Sequence, residues 1–212
     1  MRISNQVLAN GKMKHNPFKI VDMFEETVAD YTGAPYAVAV TSCTDALFLC
    51  CKYFGVGEVE IPAKTYLSVP QSIIHSGGTV KFTDDEWEGI YQLKPYPIYD
   101  AAKRFTSDMY IPGTHMCLSF HIKKHLKIGK GGMILTDDKT VADWLRVARY
   151  EGRNAVPYKE DDIKILGWNM YMTPQQAAHG LALMQNYPQN VPDLIEEGGY
   201  RDLREFTIFK NK

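Results

Sequence analysis

Short apolar runs alternate with amphipathic segments along most of this chain. The apolar runs predict buried strands, whereas segments in which apolar residues recur every three or four positions predict helices. Strands are predicted at residues 36–40, 58–61, 79–82, 96–100, 117–120 and 133–136, and helices at residues 18–31, 44–53, 66–75, 139–150 and 173–185. This alternation predicts an α/β fold in which a mainly parallel sheet is sandwiched between helices.

The predicted elements divide the chain into three parts. Residues 1–16 are polar and irregular, which indicates an N-terminal arm, and residues 17–187 contain all the predicted strands and helices. Residues 188–212 form a tail with two prolines and the adjacent Gly198 and Gly199, and no regular element is predicted there.

The composition narrows the classes of function. The 212 residues carry a net charge of −1, so we expect no general electrostatic attraction to nucleic acid or to a membrane surface. No apolar run is long enough to span a bilayer, and the N-terminus lacks the apolar core of a signal peptide. The four cysteines show no paired CxxC spacing, so we expect buried free thiols in a reducing cytoplasm and no metal site.

Polar residues follow several predicted strands at the ends that a parallel sheet brings to one edge, where ligands of such sheets bind. They are Ser42, Cys43, Thr44, Thr65, Tyr66, Asp100 and Ser119. The residues at 42–44 also open a predicted helix, so their N–H groups and hydroxyls suit an anion such as phosphate. Taken alone, a plain helix N-cap is the ordinary explanation for these residues.

Asp100 and a run of lysines carry the candidate chemistry. Asp100 follows the apolar residues YPIY, and a buried carboxylate there needs a cationic partner such as a protonated pyridine nitrogen. A surface carboxylate at a strand end is the alternative. Lysines 123, 124, 127 and 130 lie on a turn between two apolar runs, where a lysine of lowered pKa suits a Schiff-base enzyme. A solvated cationic face is the ordinary explanation for such a run.

A turn lysine, a phosphate-sized nest and a strand-end carboxylate together indicate pyridoxal phosphate as the cofactor. Tyr66, at the carboxyl end of a strand, would stack on the planar ring, although a core aromatic residue is the alternative. His121 and His125 have i, i+4 spacing but lie on a Gly-flanked loop, so we expect no zinc site there.

Five blocks of sequence occur in order between residues 24 and 184. They are FEETVADYTGAPYAVAVTSCTDAL, EVEIPAKTYLSVPQSIIHSGGTVKFTD, YDAAKRF, SFHIKKHLKIGKGG and LGWNMYMTPQQAAHGLALM. In this order the blocks resemble the DegT/StrS-type nucleotide-sugar aminotransferases, which are fold-type I pyridoxal phosphate enzymes. The resemblance is specific because no single short motif carries it. It implies the fold of the large domain of those enzymes.

The resemblance implies roles for the reacting groups. Lys124 would be the Schiff-base lysine, Asp100 would pair with the ring nitrogen of the cofactor, and Tyr66 would stack on the ring. The lysine would also move a proton between the cofactor and the substrate carbon. The implied reaction transfers an amino group, usually from glutamate, to a keto sugar linked to a nucleotide.

The resemblance also implies a phosphate site that is completed across a dimer. Cys43, Thr44 and Ser119 would hold the cofactor phosphate, and Asn169 would reach the phosphate bound by the partner subunit. We therefore expect a homodimer with shared active sites. A chain of this kind would also expose apolar surface unless it were paired.

This sequence departs from the family pattern at several positions. Cys43 replaces a glycine, Lys103 a glutamine, Lys130 an acidic residue and Tyr171 an arginine. The segment between residues 82 and 97 is short, and the sequence ends at residue 212, roughly where the family begins its smaller domain. A non-catalytic remnant or scaffold, or one half of a split enzyme, is therefore the alternative function. A related sugar dehydratase is a further alternative, although such relatives replace the lysine that is present here.

Overall fold

The structure is a computed structural model that describes Asn16, residues 18–195 and residues 198–210. Strands and helices alternate along this part of the chain. The strands are β1 (Tyr36–Val40), β2 (Glu58–Pro62), β3 (Thr79–Thr83), β4 (Tyr91–Leu93), β5 (Ile98–Asp100), β6 (His115–Ser119) and β7 (Gly132–Thr136), and the helices are α1 (Lys19–Thr32), α2 (Cys43–Phe54), α3 (Ser68–Ser76), α4 (Lys139–Ala148) and α5 (Pro174–Met184). The α/β class is confirmed, and residues 1–15 of the predicted arm lie outside the described residues.

The strands form two sheets that meet at β4. Five strands lie in the order β1-β7-β6-β5-β4, and β2 pairs with β3 in a second sheet. An antiparallel bridge joins Glu60 of β2 to Lys94, the residue after β4, through backbone hydrogen bonds of 2.8 and 3.1 Å. This bridge continues one sheet into the other, so the seven described strands follow one another in a nearly continuous layer.

Most strands point the same way, although neighbouring strands are often antiparallel. The pairs β2/β3 and β5/β6 are parallel, whereas β7 is antiparallel to β1 and β6, and β4 is antiparallel to β5. Consequently β1, β2, β3, β5 and β6 share one direction, and β4 and β7 are reversed. The expectation of a mainly parallel sheet is correct for strand direction but wrong for pairing, because each reversed strand lies between two parallel ones.

Helices cover both faces of this layer, and alternate residues of each strand enter different cores. On β1, Val38 and Val40 pack in the core that includes residues of α2 and α4. Ala37 and Ala39 pack in the opposite core, which includes residues of α1 and α5. This alternation follows from the two-residue period of a strand.

The helices begin at residues that cap them. Thr173 and Gln176 form a capping box before α5, and Pro174 occupies the first helical position, as the sequence predicts. Asp138 caps α4 by accepting hydrogen bonds from two backbone N–H groups of its first turn. In the part of the chain that the structure describes, no helix combines the length and apolar character that a membrane crossing requires.

Three segments differ from the sequence-based expectation. The structure contains β4, which the sequence did not predict because three residues are too few to show a period. The predicted strand at 96–100 is confined to β5 (Ile98–Asp100), and the predicted helix at 66–75 begins only at Ser68.

The described part of the tail packs against the rest of the chain. Leu203 is buried, and its backbone N–H donates to the carbonyl of Ala63 over 2.9 Å. The Phe209 ring lies 5.7 Å from that of Phe82 on β3. The division into arm, large domain and tail stays a prediction, but these contacts place the tail against the end of β2.

Candidate active site

The carboxyl ends of β1, β5 and β6 lie at one edge of the larger sheet. The start of the reversed strand β7 joins them there, because Gly132 is paired with both Val40 of β1 and Ser119 of β6. Asp100 closes β5, and its register partner on β6 is Cys117. The topology therefore brings the strand-end residues predicted from the sequence to a common edge.

The turn before α2 lies directly against the start of β7. A Cβ atom on Gly132 would lie 2.4 to 2.6 Å from backbone atoms of Ser42 and Cys43, so only glycine permits this approach. Ser42 caps α2, and its hydroxyl oxygen accepts a hydrogen bond from the Asp45 N–H over 3.1 Å. The N-cap interpretation is therefore correct for Ser42. The first backbone N–H groups of α2 still have no partner within the helix, which leaves them available to an anion.

Cys43 and Thr44 contribute differently to this turn. The Cys43 thiol is buried and lies 3.4 Å from the Cys117 carbonyl oxygen, so its side chain is directed into the core. Burial raises the pKa of this thiol well above its ordinary value, and the neighbouring charge of Asp100 raises it further. The Thr44 hydroxyl is half-buried and donates to the Ser68 hydroxyl over 2.9 Å. Of the two, Thr44 is therefore the one whose side chain can contact an anion.

Asp100 is a buried carboxylate, 5% exposed. One of its oxygens accepts a hydrogen bond of 2.9 Å from the Ala102 N–H, and the other accepts one of 3.1 Å from the Tyr91 hydroxyl. Burial raises the pKa of Asp100, whereas these two donors and the positive charge of Lys124 lower it. Because Asp100 is buried, the alternative of a surface carboxylate is wrong. No ion pair engages Asp100 within the described residues, so the carboxylate is able to accept a cationic group.

Lys124 lies on the loop between β6 and β7, and its charge influences Asp100 and Cys43. Its backbone N–H donates to the His121 carbonyl over 2.8 Å, and its side chain is half-buried. Its positive charge lowers the pKa of both Asp100 and Cys43. Lys124 therefore lies within electrostatic range of Asp100 and of Cys43 in the first turn of α2.

Ser119 and Tyr66 are two further candidates from the sequence. Ser119 is half-buried at the end of β6, and its hydroxyl oxygen accepts a hydrogen bond of 3.5 Å from the His121 N–H. Tyr66 is 56% exposed, so the alternative that it is a core residue is wrong. Its ring lies 6.5 Å from that of Tyr200 in the tail, in an edge-to-face arrangement.

The side chain of Asn169 contacts none of the other candidate residues by a hydrogen bond among the described residues. Its side-chain amide donates to the Glu151 carboxylate over 2.9 Å, and both residues are exposed. Among the described residues no hydrogen bond connects Asn169 to Thr44, Ser119 or Lys124. A role across a dimer interface stays a prediction.

Two of the departures from the family pattern have visible partners. The Lys103 ammonium lies 5.1 Å from the ring centroid of Trp87 and 5.2 Å from that of Tyr200, which are cation–π distances. Tyr171 packs its ring against Phe18 and Tyr150 at 5.5 and 5.1 Å. These two replacements are therefore accommodated by aromatic neighbours.

The remaining departure, Lys130, lies on the surface. Its side chain is exposed, and its backbone carbonyl accepts a hydrogen bond of 2.8 Å from the Gln176 side chain. This contact uses the backbone, so nothing in the structure explains why a lysine occupies the position.

Sequence reasoning missed Tyr91 and Trp87. Tyr91 lies on β4 opposite Asp100, and the Trp87 ring packs at 4.7 Å from the Tyr91 ring. The alternating pattern IYQL at residues 90–93 is the only signal of this strand in the sequence. It is too short to be read as a strand without knowing its neighbour.

Solved structures of other proteins share this architecture. The solved structure of the sugar aminotransferase CalS13 from Micromonospora echinospora covers 85% of this chain with a TM-score of 0.68 and 19% identity, and the chain covers 63% of that structure. The aminotransferase PseC of Helicobacter pylori covers 80% with a TM-score of 0.67 and 17% identity, and the chain covers 58% of it. The fold is therefore that of the fold-type I aminotransferases.

The sequence comparison identifies the family. The DegT/DnrJ/EryC1/StrS aminotransferase family matches at residues 2–112 and 98–193. The chain belongs to this family, as the five sequence blocks predict. Among its relatives, the spore coat polysaccharide biosynthesis protein SpsC of Bacillus subtilis (strain 168) is 27% identical over 83% of the chain, and the GDP-perosamine synthase of Caulobacter vibrioides is 26% identical over 79%. The chain spans 58% and 57% of the length of these two relatives.

Proposed function

We propose that this chain binds pyridoxal 5′-phosphate at the edge where Asp100, Lys124 and the turn before α2 meet. We further propose that it uses this cofactor to transfer an amino group to a nucleotide-linked keto sugar. The observation that carries the proposal is Asp100, a buried carboxylate with two hydrogen-bond donors and no ion pair among the described residues. A buried charge of this kind is stabilised by a cationic group such as a protonated ring nitrogen.

The turn before α2 supports phosphate binding. The backbone N–H groups of Cys43 and Thr44 lie in the first turn of a twelve-residue helix, whose dipole favours an anion. The hydroxyls of Thr44 and Ser119 are half-buried near this turn and add hydrogen-bonding groups. Cys43 would contribute its backbone N–H rather than its thiol, because the thiol is directed towards the Cys117 carbonyl.

The residues of this chain would have distinct tasks. Lys124 would hold the cofactor through its amine and afterwards carry a proton at Nζ. Asp100 would keep the ring nitrogen protonated, and the exposed ring of Tyr66 would cover one face of the cofactor. When bound, the cofactor supplies an electron sink for the carbon that loses or gains a proton.

The names of the relatives support the proposed substrates. One is a GDP-perosamine synthase, and another, 24% identical over 85% of this chain, is a 3-oxo-glucose-6-phosphate:glutamate aminotransferase of Bacillus subtilis. We therefore propose glutamate as the amino donor and a nucleotide-linked keto sugar as the acceptor. Because the chain spans less than two thirds of these relatives, the whole reaction is a proposal for this chain.

We also propose that the protein forms a homodimer with shared active sites. We further propose that it works in the cytoplasm. Asn169 is exposed, and its side-chain amide bonds to Glu151 rather than to a candidate hydroxyl, which suits a residue that serves the partner subunit. The four cysteines are buried and free, which suits a reducing compartment. Gel filtration at micromolar concentration should give a dimer, and a monomer alone would contradict the shared-site proposal.

Covalent trapping tests cofactor binding directly. The purified protein should turn yellow with pyridoxal 5′-phosphate, and borohydride followed by peptide mass spectrometry should find the cofactor attached to Lys124. Lys124→Ala should abolish the attachment, whereas Lys127→Ala on the same loop should leave it unchanged. Attachment to another lysine, or equal cofactor uptake by Lys124→Ala, would contradict the proposal.

A cofactor-binding protein without turnover is the second candidate, and the departures from the family pattern at Lys103, Lys130 and Tyr171 favour it. Addition of glutamate to the cofactor-loaded protein separates the two functions. An aminotransferase should release 2-oxoglutarate in an amount equal to the bound cofactor, because the amino group stays behind on the protein-bound cofactor. A non-catalytic protein would release none, although Lys124 could still be labelled.

A further inference from the structure

Three buried or nearly buried polar groups form a chain behind the candidate cofactor site. The Thr65 and Tyr91 hydroxyls lie 2.7 Å apart, and the Tyr91 hydroxyl lies 3.1 Å from a carboxylate oxygen of Asp100. Thr65 is only 2% exposed and Tyr91 only 7%. Burial raises the pKa of the Tyr91 hydroxyl well above its ordinary value, so it remains protonated and able to donate.

The directions of these hydrogen bonds follow from the chemistry of the three groups. An ionised carboxylate is only an acceptor, so the single proton of the Tyr91 hydroxyl must point towards Asp100. Tyr91 can then only accept from Thr65, which must donate to it. Each hydroxyl in such a chain polarises the next, so Thr65 strengthens the hydrogen bond that Tyr91 donates to Asp100.

The same contacts leave acceptor positions open on Asp100. Its oxygens take one hydrogen bond each, from Tyr91 and from the Ala102 N–H, whereas a carboxylate offers about four acceptor positions. The two donors come from different elements, β4 and the loop after β5, so together they restrict rotation of the carboxylate. The carboxylate is thereby held in one orientation with capacity for a further donor.

We infer that Tyr91, supported by Thr65, is a positioning residue that orients the Asp100 carboxylate for the cationic ring nitrogen of the cofactor. The inference rests on the proposed function for the identity of that ligand. Tyr91 acts through Asp100 rather than by touching the cofactor. Tyr91 can have this role because the register of β4 with β5 places it opposite Asp100.

The chain offers a matched control for the loss of one hydroxyl. Tyr91→Phe keeps the ring that packs against Trp87 but removes the donor to Asp100. Tyr99→Phe removes a hydroxyl from the adjoining strand β5, where it lies 3.4 Å from the Gln92 side chain and does not contact Asp100. Thr65→Val removes the support of Tyr91, and Thr65→Ser restores a hydroxyl at that position.

The first measurement uses the cofactor-free protein, because Asp100 can be followed there by carbon-13 NMR of labelled aspartate carboxyls. Asp100→Asn assigns the resonance. Removal of the Tyr91 donor should move the titration of Asp100 to higher pH than in the wild type, since this donor lowers its pKa. The ionisable groups that act on Asp100 from the surrounding elements are Tyr91, Lys124, Lys103, Cys43 and Cys117.

For each of the other variants, the pH at which Asp100 titrates is also predicted. Tyr99→Phe and Thr65→Ser should titrate like the wild type, and Thr65→Val should move in the same direction as Tyr91→Phe by a smaller amount. If Tyr91→Phe loses its fold in circular dichroism, Thr65→Val against Thr65→Ser carries the test. Unchanged titration of Asp100 in both Tyr91→Phe and Thr65→Val would overturn the inference.

The second measurement is the affinity for pyridoxal 5′-phosphate, followed by visible absorbance. Loss of one hydrogen bond to a charged group should weaken binding by roughly ten- to hundredfold in Tyr91→Phe. Tyr99→Phe should bind like the wild type, and saturating cofactor should still label Lys124 in every variant. Equal affinities in Tyr91→Phe and Tyr99→Phe would overturn the positioning role.

The two measurements distinguish the inference from the proposed function. If wild-type protein binds no pyridoxal 5′-phosphate but Tyr91→Phe moves the Asp100 titration, the cofactor assignment fails and the orientation of Asp100 by Tyr91 stands. If the wild type labels at Lys124 but the variants match their controls in both measurements, the inference fails and the proposed function stands.

Discussion

At the scale of single residues, the candidate site depends on close backbone approach as much as on reactive side chains. Gly132 permits β7 to start directly against the turn that opens α2, and this places Ser119, on the neighbouring strand, beside the same turn. The Cys43 thiol fills buried space below the turn, at the position where the family resemblance implies a glycine. The turn is therefore fixed from both sides by packing.

We expect Gly132→Ala to disrupt this turn. The added methyl would overlap backbone atoms of residues 42 and 43, which cannot move as a flexible side chain can. We expect a loss of about 1–3 kcal/mol in the free energy of unfolding, measured by urea denaturation, together with weaker cofactor binding. Gly57→Ala is the control, because its added methyl meets only the Tyr96 hydroxyl at 3.7 Å. Equal stability of the two variants would contradict this account.

His115 should make stability depend on pH. It is buried against the Phe54 ring at 4.9 Å, and burial lowers its pKa below the ordinary value of about 6.5. Below that pH the unfolded chain binds a proton that the folded chain does not, so stability is complete above about pH 6.5 and falls as the pH decreases. We expect His115→Phe to flatten this decline in urea denaturation between about pH 6.5 and 5.

The same substitution at an exposed histidine is the control for this prediction. His75→Phe should keep the wild-type slope of stability against pH, because His75 lies at the exposed end of α3. If stability falls with decreasing pH as steeply in His115→Phe as in His75→Phe, His115 is not the source of the pH dependence.

At the scale of elements, the predictable part of the fold is the part with local periodicity. The strand at 36–40 and the helix at 44–53 were placed to within one residue, since each has its own apolar pattern and α2 has a capping residue. β4 has three residues and no period of its own. Its position, and hence the contact of Tyr91 with Asp100, depends on pairing with β5, which no local pattern encodes.

The candidate site divides in the same way. Asp100 is predicted from its place at a strand end, whereas only the family resemblance distinguishes Lys124 from the neighbouring lysines, and both roles stay predictions. Tyr200 lies near Tyr66 only because the tail folds back, and such a contact between distant residues leaves no periodic signal. The pairing pattern of the sheet was mispredicted for the same reason, because strand order is a property of the assembled layer.

A buried charge cluster joins three elements at the edge strand β1. Glu25 of α1 is 4% exposed, accepts a hydrogen bond of 2.9 Å from the Ala39 N–H, and forms ion pairs with Arg146 and Arg149. Both arginines also donate to carbonyls of β1. These side chains occupy backbone groups of an edge strand that would otherwise be open to pairing.

We expect Glu25→Ala to be strongly destabilising. It leaves Arg149 buried without its carboxylate, and removal of one partner from a buried pair costs about 3–5 kcal/mol. Urea denaturation of the cofactor-free protein measures this loss. Glu26→Ala on the next, exposed position of the same helix should change stability by less than about 0.5 kcal/mol. A loss in Glu25→Ala no larger than in Glu26→Ala would show that the cluster does not stabilise the fold.

At the scale of the whole molecule, the described tail is part of the folded body. Leu203 is 2% exposed, its N–H pairs with the Ala63 carbonyl, and Arg204 forms an ion pair of 2.6 Å with Asp84 after β3. Tyr200 packs between Tyr66 and Trp87, with ring centroids 6.5 and 6.0 Å away. The tail therefore borders the candidate active site rather than extending away from it.

We expect Leu203→Ala to loosen this attachment. Burial of one leucine contributes about 2–5 kcal/mol, which is comparable to the stability expected of one short segment docked on a larger body. Limited proteolysis should therefore cut at residues 198–210 faster in Leu203→Ala than in the wild type, while the rest of the chain stays resistant. Ile208→Ala is the matched control, because Ile208 is 57% exposed in the same segment. If both variants are cut at the wild-type rate, Leu203 does not anchor the tail; if both are cut faster, the docking is a property of the segment as a whole and not of the buried leucine.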